Sequence, residues 1–315
     1  MKTLDVGLIG LGRHGRRYAE HLVRGDVPGA RLAGFWRRDT EAAKTDQEAL
    51  GVPSRTQVED LIGSVDALVI VVPAAQHLPL AGLASAAGKP ALIEKPLAPS
   101  AADADALLRL PGRFMVSQTL RFDPLVLALR EAYQSGRFGP AVGFELVQRL
   151  EPRGLAWEDD PAIAGGGVLI QTGIHGLDAL RFIFGAPRIE VEAATLRAVR
   201  GRRTEDHALL HLSVGGVVGQ LATSKIGRSR HHRFSVFFEG GGLEADFIAR
   251  TLTTVEGRSQ SKIEVPEAPT VVRSLSAFCA WIRGEIADCP VSVAEAHASL
   301  LPIFEAYQRS GRSSV

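Results

Sequence analysis

A glycine run followed by three polar side chains is the stretch whose residue types best suit chemistry. GGGVLIQTGIHGLD occupies residues 165–178, and within it Gln171, His175 and Asp178 recur at spacings of four and three. On a helix these spacings place all three side chains on one face. An imidazole with an unperturbed pKa of roughly 6.5 can donate or accept a proton at neutral pH. These residue types could therefore transfer a proton, although a lone histidine on a helix is more often structural.

A second such stretch lies near the start, where GLGRHG follows the strand-like run LDVGLI. Its glycines form a G-x-G-x-x-G pattern between a strand and a helix, which is typical of a dinucleotide-binding loop. Glycine lets the backbone turn tightly and approach a pyrophosphate, and a helix N-terminus favours an anion. An ordinary glycine turn is the alternative. The predicted cofactor contacts in this loop are Gly10, Gly12, Arg13, His14 and Gly15.

The end of the second predicted strand indicates which dinucleotide is bound. An NAD site has a carboxylate there for the ribose 2′-hydroxyl. This sequence instead reads GFWRRDT, with Arg37 and Arg38 in that place and Asp39 directly after them. Because guanidinium groups suit a 2′-phosphate, the sequence predicts NADP as the cofactor, with NAD as the second choice. In the alternative interpretation the arginines are solvated and Asp39 binds the ribose.

The elements that must position these residues follow from hydrophobic patterning. In the first third, the apolar runs LDVGLI, RLAGFW, ALVIVV, PALIE and RFMVSQ alternate with amphipathic segments, which predicts a doubly wound parallel sheet. Later β-like runs are separated by gaps too short for helical crossovers, so a mostly antiparallel sheet is expected. The predicted fold class is α/β, with a Rossmann domain over residues 1–120 and an α+β substrate and oligomerisation domain over residues 121–315.

Composition and charge limit the classes of protein that this chain can be. A length of 315 residues suits two domains, and 45% apolar residues can fill their cores without disulfides. Lys and Arg number 36 against 35 Asp and Glu, so nothing favours a nucleic acid or an anionic membrane as partner. The two cysteines fit a reducing compartment, and we identify neither a signal peptide nor a membrane-spanning run. A cytoplasmic protein is therefore expected.

The most specific stretch is VDALVIVVPAAQHLPLAGLASAAGKPALIEKPLAPS, residues 65–100. Its strand ending in Pro73, the histidine at His77, the Gly–Lys turn at 88–89 and the Glu–Lys–Pro motif at 94–96 resemble the glucose–fructose oxidoreductase / inositol dehydrogenase (Gfo/Idh/MocA) family. RFDP, SGRFGP, GGG…H..D and TEDHALLHL extend the resemblance over nearly the whole chain. The resemblance implies a large open sheet in the second domain and nicotinamide-dependent oxidoreductase activity on sugars, cyclitols or their derivatives. It also implies a homodimer or homotetramer.

Carried over by position, the resemblance implies roles for individual residues. Lys95 is expected near the nicotinamide and the substrate hydroxyl, before a proline whose peptide bond is commonly cis in the family. His175 matches the family's catalytic histidine, the base in oxidation or the acid in reduction. In the alternative, Lys95 is a surface cation paired with Glu94, and His175 is structural. Further cofactor contacts are expected from Pro73, His77 and Glu94, although His77 equally fits a role in supporting its turn.

Two positions depart from the family pattern. The family usually has an aspartate four residues before the histidine, where this chain has Gln171. An amide can form hydrogen bonds but cannot take a proton, so Gln171 is expected to position the substrate or His175. Many members have asparagine after the strand-end proline, where this chain has Ala74, so one polar contact near the cofactor is missing. Asp178 lies within helical reach of His175, but the resemblance makes it structural.

The remaining candidates concern the substrate and a possible metal. Gln118 and Arg121 lie at the carboxyl end of the last predicted Rossmann strand, where ligands bind in this fold. Trp157 is followed by Glu158 and Asp159 in a loop where the family often gathers substrate contacts. The pair at 231–232 is His–His, but no carboxylate or cysteine lies at useful spacing, so a solvated basic loop and no metal are expected. Gln171 and His175 complete the predicted substrate-binding set.

Two functions from different classes fit these observations. In the leading hypothesis, the protein transfers a hydride between a nicotinamide cofactor and a carbinol or carbonyl carbon of a sugar, cyclitol or related polyol. Lys95, His175 and Gln171 then form the catalytic group. The alternative is a non-catalytic dinucleotide-binding regulatory protein of the same fold, which Gln171 in place of aspartate keeps open.

Overall fold

The computed structural model describes residues 3–152 and 154–311, which divide into two compact units. The first comprises the described residues up to Ala98, together with Ala102–Gln118 and Pro269–Ala296. The second comprises Pro99–Ala101, Thr119–Ala268 and the described residues from His297 onward. The division after Gln118 lies within two residues of the predicted boundary at residue 120. The difference is a late segment, Pro269–Ala296, which belongs to the first unit, where its helix packs against the first helix and the fifth strand.

The first unit contains a five-stranded parallel sheet in the order β2-β1-β3-β4-β5. Every residue of β3, β4 and β5 is buried, as expected for a parallel sheet covered on both faces. This confirms the predicted Rossmann architecture. The strands are β1 (Leu4–Ile9), β2 (Ala30–Trp36), β3 (Ala67–Ile70), β4 (Ala91–Glu94) and β5 (Phe114–Ser117). The helices are α1 (Arg13–Val23), α2 (Thr40–Leu50), α3 (Val58–Ser64), α4 (His77–Ala86), α5 (Ala101–Arg109) and, later in the chain, α9 (Thr270–Ile282).

The second unit contains an eight-stranded sheet in the order β13-β12-β11-β10-β6-β9-β8-β7. Its strand pairs are antiparallel except β6 with β9, so the prediction of a mostly antiparallel sheet is confirmed. The strands are β6 (Ala141–Arg149), β7 (Ile189–Arg197), β8 (His207–Val214), β9 (Val217–Ser224), β10 (His231–Phe238), β11 (Gly241–Asp246), β12 (Thr251–Glu256) and β13 (Ser259–Glu264). The helices are α6 (Pro124–Ser135), α7 (Pro161–Ala164), α8 (Ile174–Phe184) and α10 (Val293–Arg309), within which the division between the units falls.

Local sequence explains where the second unit's helices begin and end. Asp123 accepts a hydrogen bond from the backbone N–H of Leu125 (2.9 Å), and Pro124 follows at the first helical position of α6. Helices α6 and α8 end at Gly136 and Gly185, both in the left-handed conformation that glycine adopts without strain. These two helices pack against each other, and their buried faces form the core beneath the sheet.

The stretch with three polar residues is not one regular helix. A π-helical turn spans Leu169–Gly173, and α8 begins only at Ile174. Gln171 therefore belongs to the π-helical turn, whereas His175 and Asp178 belong to α8. The prediction that a single α-helical face carries all three side chains is wrong at Gln171. Such turns close i→i+5 hydrogen bonds and occur frequently at functional sites.

Two further findings concern helices and cysteines. Of the helices within residues 3–152 and 154–311, none combines the length and the apolar composition needed to cross a bilayer. Cys279 is buried, and burial raises the pKa of its thiol to about 12. Cys289 donates a weak hydrogen bond to the carbonyl of Phe114 (3.7 Å). The two cysteines are not joined in a disulfide.

Candidate active site

The glycine loop of the first unit has the shape that a dinucleotide requires. Gly10 has φ of +95°, and a Cβ on it would lie 2.2 Å from the carbonyl oxygen of Val71. A Cβ on Gly15 would lie 2.0 Å from the carbonyl oxygen of Gly10. A Cβ on Gly12, by contrast, would meet no described atom within 4 Å. The first and third glycines thus allow close packing, and the second leaves the backbone open to a ligand at the start of α1, which fits a pyrophosphate.

The residues after β2 are held by helix α2. Asp39 accepts a hydrogen bond from the backbone N–H of Ala42 (3.0 Å) and so caps the N-terminus of that helix. The guanidinium of Arg37 donates to the carboxylate of Asp46, which also accepts from Arg16. Arg38 makes no hydrogen bond or ion pair with any residue that the structure describes. The two predicted arginines are therefore not equivalent, since Arg37 is anchored by a carboxylate and Arg38 is not.

The glutamate of the Glu–Lys–Pro motif is the centre of a buried polar network. Glu94, 5% exposed, accepts hydrogen bonds from the Tyr18 hydroxyl (2.5 Å) and the backbone N–H of Lys95 (2.9 Å), and its Oε1 lies 2.9 Å from His14 Nε2. The Tyr18 hydroxyl also lies 2.6 Å from Ser117 Oγ. Burial raises the pKa of Glu94, but His14, Lys95 and Tyr18 outweigh it and hold the pKa at about 2. Glu94 is therefore an anion that ties the glycine loop to the lysine.

The segment around the lysine is fixed by its backbone and by a buried histidine. The Lys95–Pro96 peptide bond is cis, as the family resemblance implies. His77 is fully buried, with Nδ1 3.1 Å from the carbonyl oxygen of Leu97 and Nε2 3.0 Å from that of Val72. Burial lowers the pKa of His77. Both ring nitrogens thus face main-chain carbonyls of neighbouring loops, which favours support of the turn over cofactor contact. Pro73 precedes the short 3₁₀ turn that leads into α4.

In the second unit, a buried carboxylate holds the glycine run in place. Glu205 accepts hydrogen bonds from the backbone N–H groups of Gly167 (2.9 Å) and Leu169 (3.0 Å) and from the Tyr307 hydroxyl (2.9 Å). A Cβ on Gly167 would lie 1.8 Å from the carbonyl oxygen of Glu205, and one on Gly166 would lie 2.1 Å from the Tyr307 hydroxyl oxygen. The run is therefore glycine because the backbone packs against these two residues. Burial raises the pKa of Glu205 despite its three donors.

Gln171 belongs to a second buried cluster in this unit. Its Nε2 donates to the carbonyl oxygens of Glu158 and Gly166, each at 2.9 Å, and its Oε1 accepts from Lys225 Nζ at 3.0 Å. Lys225 Nζ also lies 3.8 Å from Glu158 Oε1, and both charged side chains are nearly completely buried. These contacts fix the orientation of the amide. They join the end of β9, the loop at 156–159 and the glycine run, and they flank a small polar pocket.

The other predicted substrate residues have different environments. Arg121 is 4% exposed and forms a two-armed ion pair with Asp178 (2.7 and 2.8 Å), whose Oδ1 also accepts from Ser299 (3.0 Å). Asp178 is thus structural, as expected, and Arg121 is committed to it. Gln118 is 1% exposed at the end of β5, whereas Trp157 is 40% exposed. Of these candidates, Trp157 is the one whose side chain is open to a ligand.

The His–His pair does not lie in a solvated loop, and that expectation is wrong. His231 and His232 are the first two residues of β10. The His232 ring stacks on Phe247 with centroids 4.2 Å apart, and burial lowers the pKa of His232 to about 4. Within the described ranges, no group of three or more His, Cys, Asp or Glu side chains is arranged to hold a metal ion.

The sequence indicated most side chains of the Glu94 network and of the Gln171 cluster. It did not indicate the residues that form hydrogen bonds or ion pairs with them. His14, Glu94 and Lys95 are brought together in the first unit, and Gln171 meets the 156–159 loop in the second. Lys225 directly follows β9 and Glu205 precedes β8. A charged residue at the end of an apolar strand is the one sequence signal that could have marked these two residues. The missed residues are Arg16, Tyr18, Asp46, Ser117, Glu205, Lys225, Ser299 and Tyr307.

Comparison with known proteins adds a family to this geometry. Residues 4–113 match the family model described as "Oxidoreductase family, NAD-binding Rossmann fold", and residues 126–244 match "GFO/IDH/MocA C-terminal domain". The chain is 29% identical over 256 residues to UDP-N-acetylglucosamine 3-dehydrogenase of Acidithiobacillus ferrooxidans, covering 80% of this chain and 77% of that enzyme.

A second relative and a solved structure agree with this match. Inositol 2-dehydrogenase of Rubrobacter xylanophilus is 32% identical over 238 residues, covering 71% of this chain and just under two thirds (66%) of that enzyme. The crystal structure of an oxidoreductase domain protein from Kribbella flavida superimposes with a TM-score of 0.89 at 22% identity, covering 99% of this chain and 98% of that one. That likeness concerns the fold, which therefore extends over both units.

Proposed function

This chain belongs to the GFO/IDH/MocA family of oxidoreductases, and on that premise we propose that it transfers a hydride between a nicotinamide cofactor and a carbinol or carbonyl carbon of a sugar, cyclitol or related polyol. The observation that carries the proposal is the shape of the glycine loop. Gly10 and Gly15 pack against the backbone, whereas Gly12 leaves space beside it for a ligand. The relatives are dehydrogenases, which favours an enzyme over a non-catalytic regulatory protein.

The preferred cofactor is NADP. Asp39 caps α2 through one carboxylate oxygen, so it has a structural role that does not require a ribose. Three arginines, Arg16, Arg37 and Arg38, lie next to the glycine loop or directly after β2, and a single carboxylate, Asp46, binds two of them. Their excess positive charge suits a 2′-phosphate, because guanidinium groups bind phosphate oxygens with paired N–H donors. NAD is the second choice.

Lys95 and His175 handle the proton of the reacting hydroxyl. The backbone N–H of Lys95 is held by Glu94, and its ammonium group can donate a hydrogen bond to the reacting oxygen. The half-buried imidazole of His175 can take or give the proton. Gln171 cannot take a proton, and its three hydrogen bonds hold the turn that leads to His175. We therefore assign Gln171 a positioning role in place of the proton transfer that the family aspartate would allow.

A substrate contact is proposed for Trp157, together with His175. Gln118 is 1% exposed and the Gln171 amide is held by three hydrogen bonds, so we propose supporting roles for both. Arg121 supports this region through Asp178, so its contribution to substrate binding is indirect. The protein is proposed to act in the cytoplasm as a homodimer or homotetramer, with neither nucleic acid nor membrane as a partner. The unpaired face of the second unit's sheet supports assembly, since Phe237 and Val218 are 43% and 52% exposed.

The first experiment is a fluorescence titration of the purified protein with NADPH and with NADH, followed by a panel of sugars and cyclitols under initial-rate conditions. We expect tight NADPH binding, weaker NADH binding and turnover of at least one polyol with net change in the cofactor. Nucleotide binding without any turnover, together with a nucleotide-dependent complex with another protein, would instead support the regulatory alternative. A preference for NADH would refute the NADP assignment and leave the oxidoreductase proposal standing.

A further inference from the structure

A buried carboxylate on α2 binds two guanidinium groups at once. Asp46 is 3% exposed, and its two carboxylate oxygens accept hydrogen bonds from Arg16 and Arg37, one oxygen for each arginine. Sequence spacing gives no hint of this contact, since the three residues come from α1, the end of β2 and α2. Burying a carboxylate costs free energy unless hydrogen-bonded partners compensate it, and the two guanidinium groups are those partners.

Both arginines lie beside the glycine loop. The backbone N–H of Arg16 donates to the carbonyl oxygen of Gly12 (2.9 Å), one turn into α1. Arg37 directly follows Trp36, whose carbonyl oxygen accepts from the backbone N–H of Gly10 (2.8 Å). Ligands of this fold bind at the carboxyl ends of the parallel strands, with the adenosine ribose at the end of β2. The cluster therefore lies where that ribose is expected.

The two guanidinium groups keep most of their donors. Each donates one hydrogen bond to Asp46, out of the five N–H groups that arginine carries. The side chains of Arg16 and Arg37 remain 41% and 23% exposed, whereas that of Asp46 is 4% exposed. The carboxylate thus lies below the two cations, and their remaining donors are accessible from solvent.

We propose that Asp46 is a specificity-positioning residue, which holds Arg16 and Arg37 side by side as a cradle for the 2′-phosphate of NADP. The inference rests on the NADP preference proposed above. A carboxylate near a phosphate site repels the ligand, so its presence there requires a compensating benefit. That benefit is preorganisation, because a ligand that meets already ordered arginines does not have to order them on binding.

The variant Asp46→Asn separates a positioning role of Asp46 from the effect of its charge, because the two change the affinity for NADPH in opposite directions. The substitution removes one negative charge, so NADPH would bind more tightly if charge alone mattered. If Asp46 acts by positioning, the two arginines lose their anchor and NADPH binds about tenfold more weakly, since two long side chains must then be ordered. NADH lacks the 2′-phosphate, so its affinity should be nearly unchanged in either case.

The test is a fluorescence titration of wild type, Asp46→Asn and the control Glu41→Gln with NADPH and NADH, and a calorimetric titration with adenosine 2′,5′-bisphosphate. Glu41 is an exposed carboxylate on the same helix, paired with Lys44, so its variant makes the same charge change without touching the cradle. We expect weaker binding of NADPH and of the bisphosphate in Asp46→Asn alone, with thermal unfolding verifying that each variant is folded.

Should Asp46→Asn fail to fold, Arg37→Gln tests the same cradle, and it should weaken NADPH about tenfold or more without weakening NADH. An unchanged ratio of NADPH to NADH affinity in a folded variant, or tighter NADPH binding by Asp46→Asn, overturns the positioning role while the wild-type preference for NADPH stands. A wild type that prefers NADH overturns the NADP assignment itself, and this inference with it.

Discussion

His175 is the residue on which the proposed chemistry depends most directly. We expect His175→Ala to lower turnover by about 10²- to 10⁴-fold, because the proton of the reacting hydroxyl then has no positioned acceptor. The affinity for NADPH should be nearly unchanged, since the glycine loop and the arginines proposed to bind it are intact. Initial rates on a polyol that the wild type accepts, together with nicotinamide fluorescence, measure the two quantities. Turnover at the wild-type level would remove His175 from the mechanism.

Removing the charge of Lys225 should lower the free energy of unfolding substantially. Lys225→Met leaves the buried carboxylate of Glu158 without its nearby ammonium, which typically costs about 3–5 kcal/mol in free energy of unfolding. The double variant with Glu158→Gln should recover much of that loss, because neither member of the pair then carries a charge. Lys44→Met is the matched control, since its exposed pair with Glu41 is worth at most about 1 kcal/mol. Urea unfolding gives the free energy of unfolding of the wild type and the three variants. Equal losses in Lys225→Met and Lys44→Met would contradict the prediction.

Glu94 should make stability depend on pH in a defined direction. Its pKa of about 2 lies below the ordinary 4.5, so its contribution to folding is fully present above about pH 4.5 and is lost as the pH falls toward 2. The advantage of the wild type over Glu94→Gln in free energy of unfolding should therefore shrink on acidification. Glu131→Gln, at an exposed position on α6, serves as the control. An advantage that stays constant down to pH 3 would show that Glu94 is not a stabilising anion.

At the scale of elements, the π-helical turn depends on a residue from another part of the chain. Glu205→Ala removes the acceptor of the Gly167 and Leu169 amides and of the Tyr307 hydroxyl. Each buried N–H left without an acceptor costs about 1–3 kcal/mol. We expect faster hydrogen exchange over residues 165–173, whereas Tyr307→Phe keeps both amide bonds and should have a smaller effect. Equal exchange in the two variants would argue against Glu205 as the anchor of the turn.

Elements were predicted best where hydrophobic pattern alone determines them. The five parallel strands of the first unit could be read from short apolar runs, because both faces of that sheet are buried. Strands β12 and β13 carry no such hydrophobic signal, since TLTTVE and SQSKIE are largely polar and every residue of β13 is exposed. His14 and Glu94, both expected from the sequence to contact the cofactor, lie 2.9 Å apart in one network, and their contact with a cofactor stays a prediction. The contacts of Asp46, Glu205 and Lys225 join distant segments, so no local pattern could reveal them.

At the scale of the whole molecule, exposed apolar residues on the sheet of the second unit predict self-association of the protein. Phe237 pairs with Gly143 across β10 and β6, and a Cβ on Gly143 would lie 3.5 Å from the carbonyl oxygen of Val218 and 3.7 Å from the Phe237 ring. Phe237 and Val218 are therefore exposed apolar neighbours on either side of Gly143. Exposed apolar neighbours of this kind favour contact with another chain. We expect Phe237→Asp to shift the protein toward the monomer, as measured by light scattering after gel filtration. Glu145→Lys, a charge change on the same face that leaves these apolar residues intact, is the control, and a monomeric wild type would contradict the prediction.

The return of a late segment to the first unit has a consequence for synthesis. The backbone N–H of Val116 in β5 donates to the carbonyl oxygen of Val291 (3.0 Å), and Arg283 donates to the carbonyl oxygen of Gly29 (3.1 Å). A ribosome makes about 5–20 residues each second. The five strands of the first unit are therefore translated roughly ten seconds or more before the late segment that completes the unit. During that interval the outer edge of β5 lacks its partner, and a fragment ending at the predicted boundary would expose it permanently.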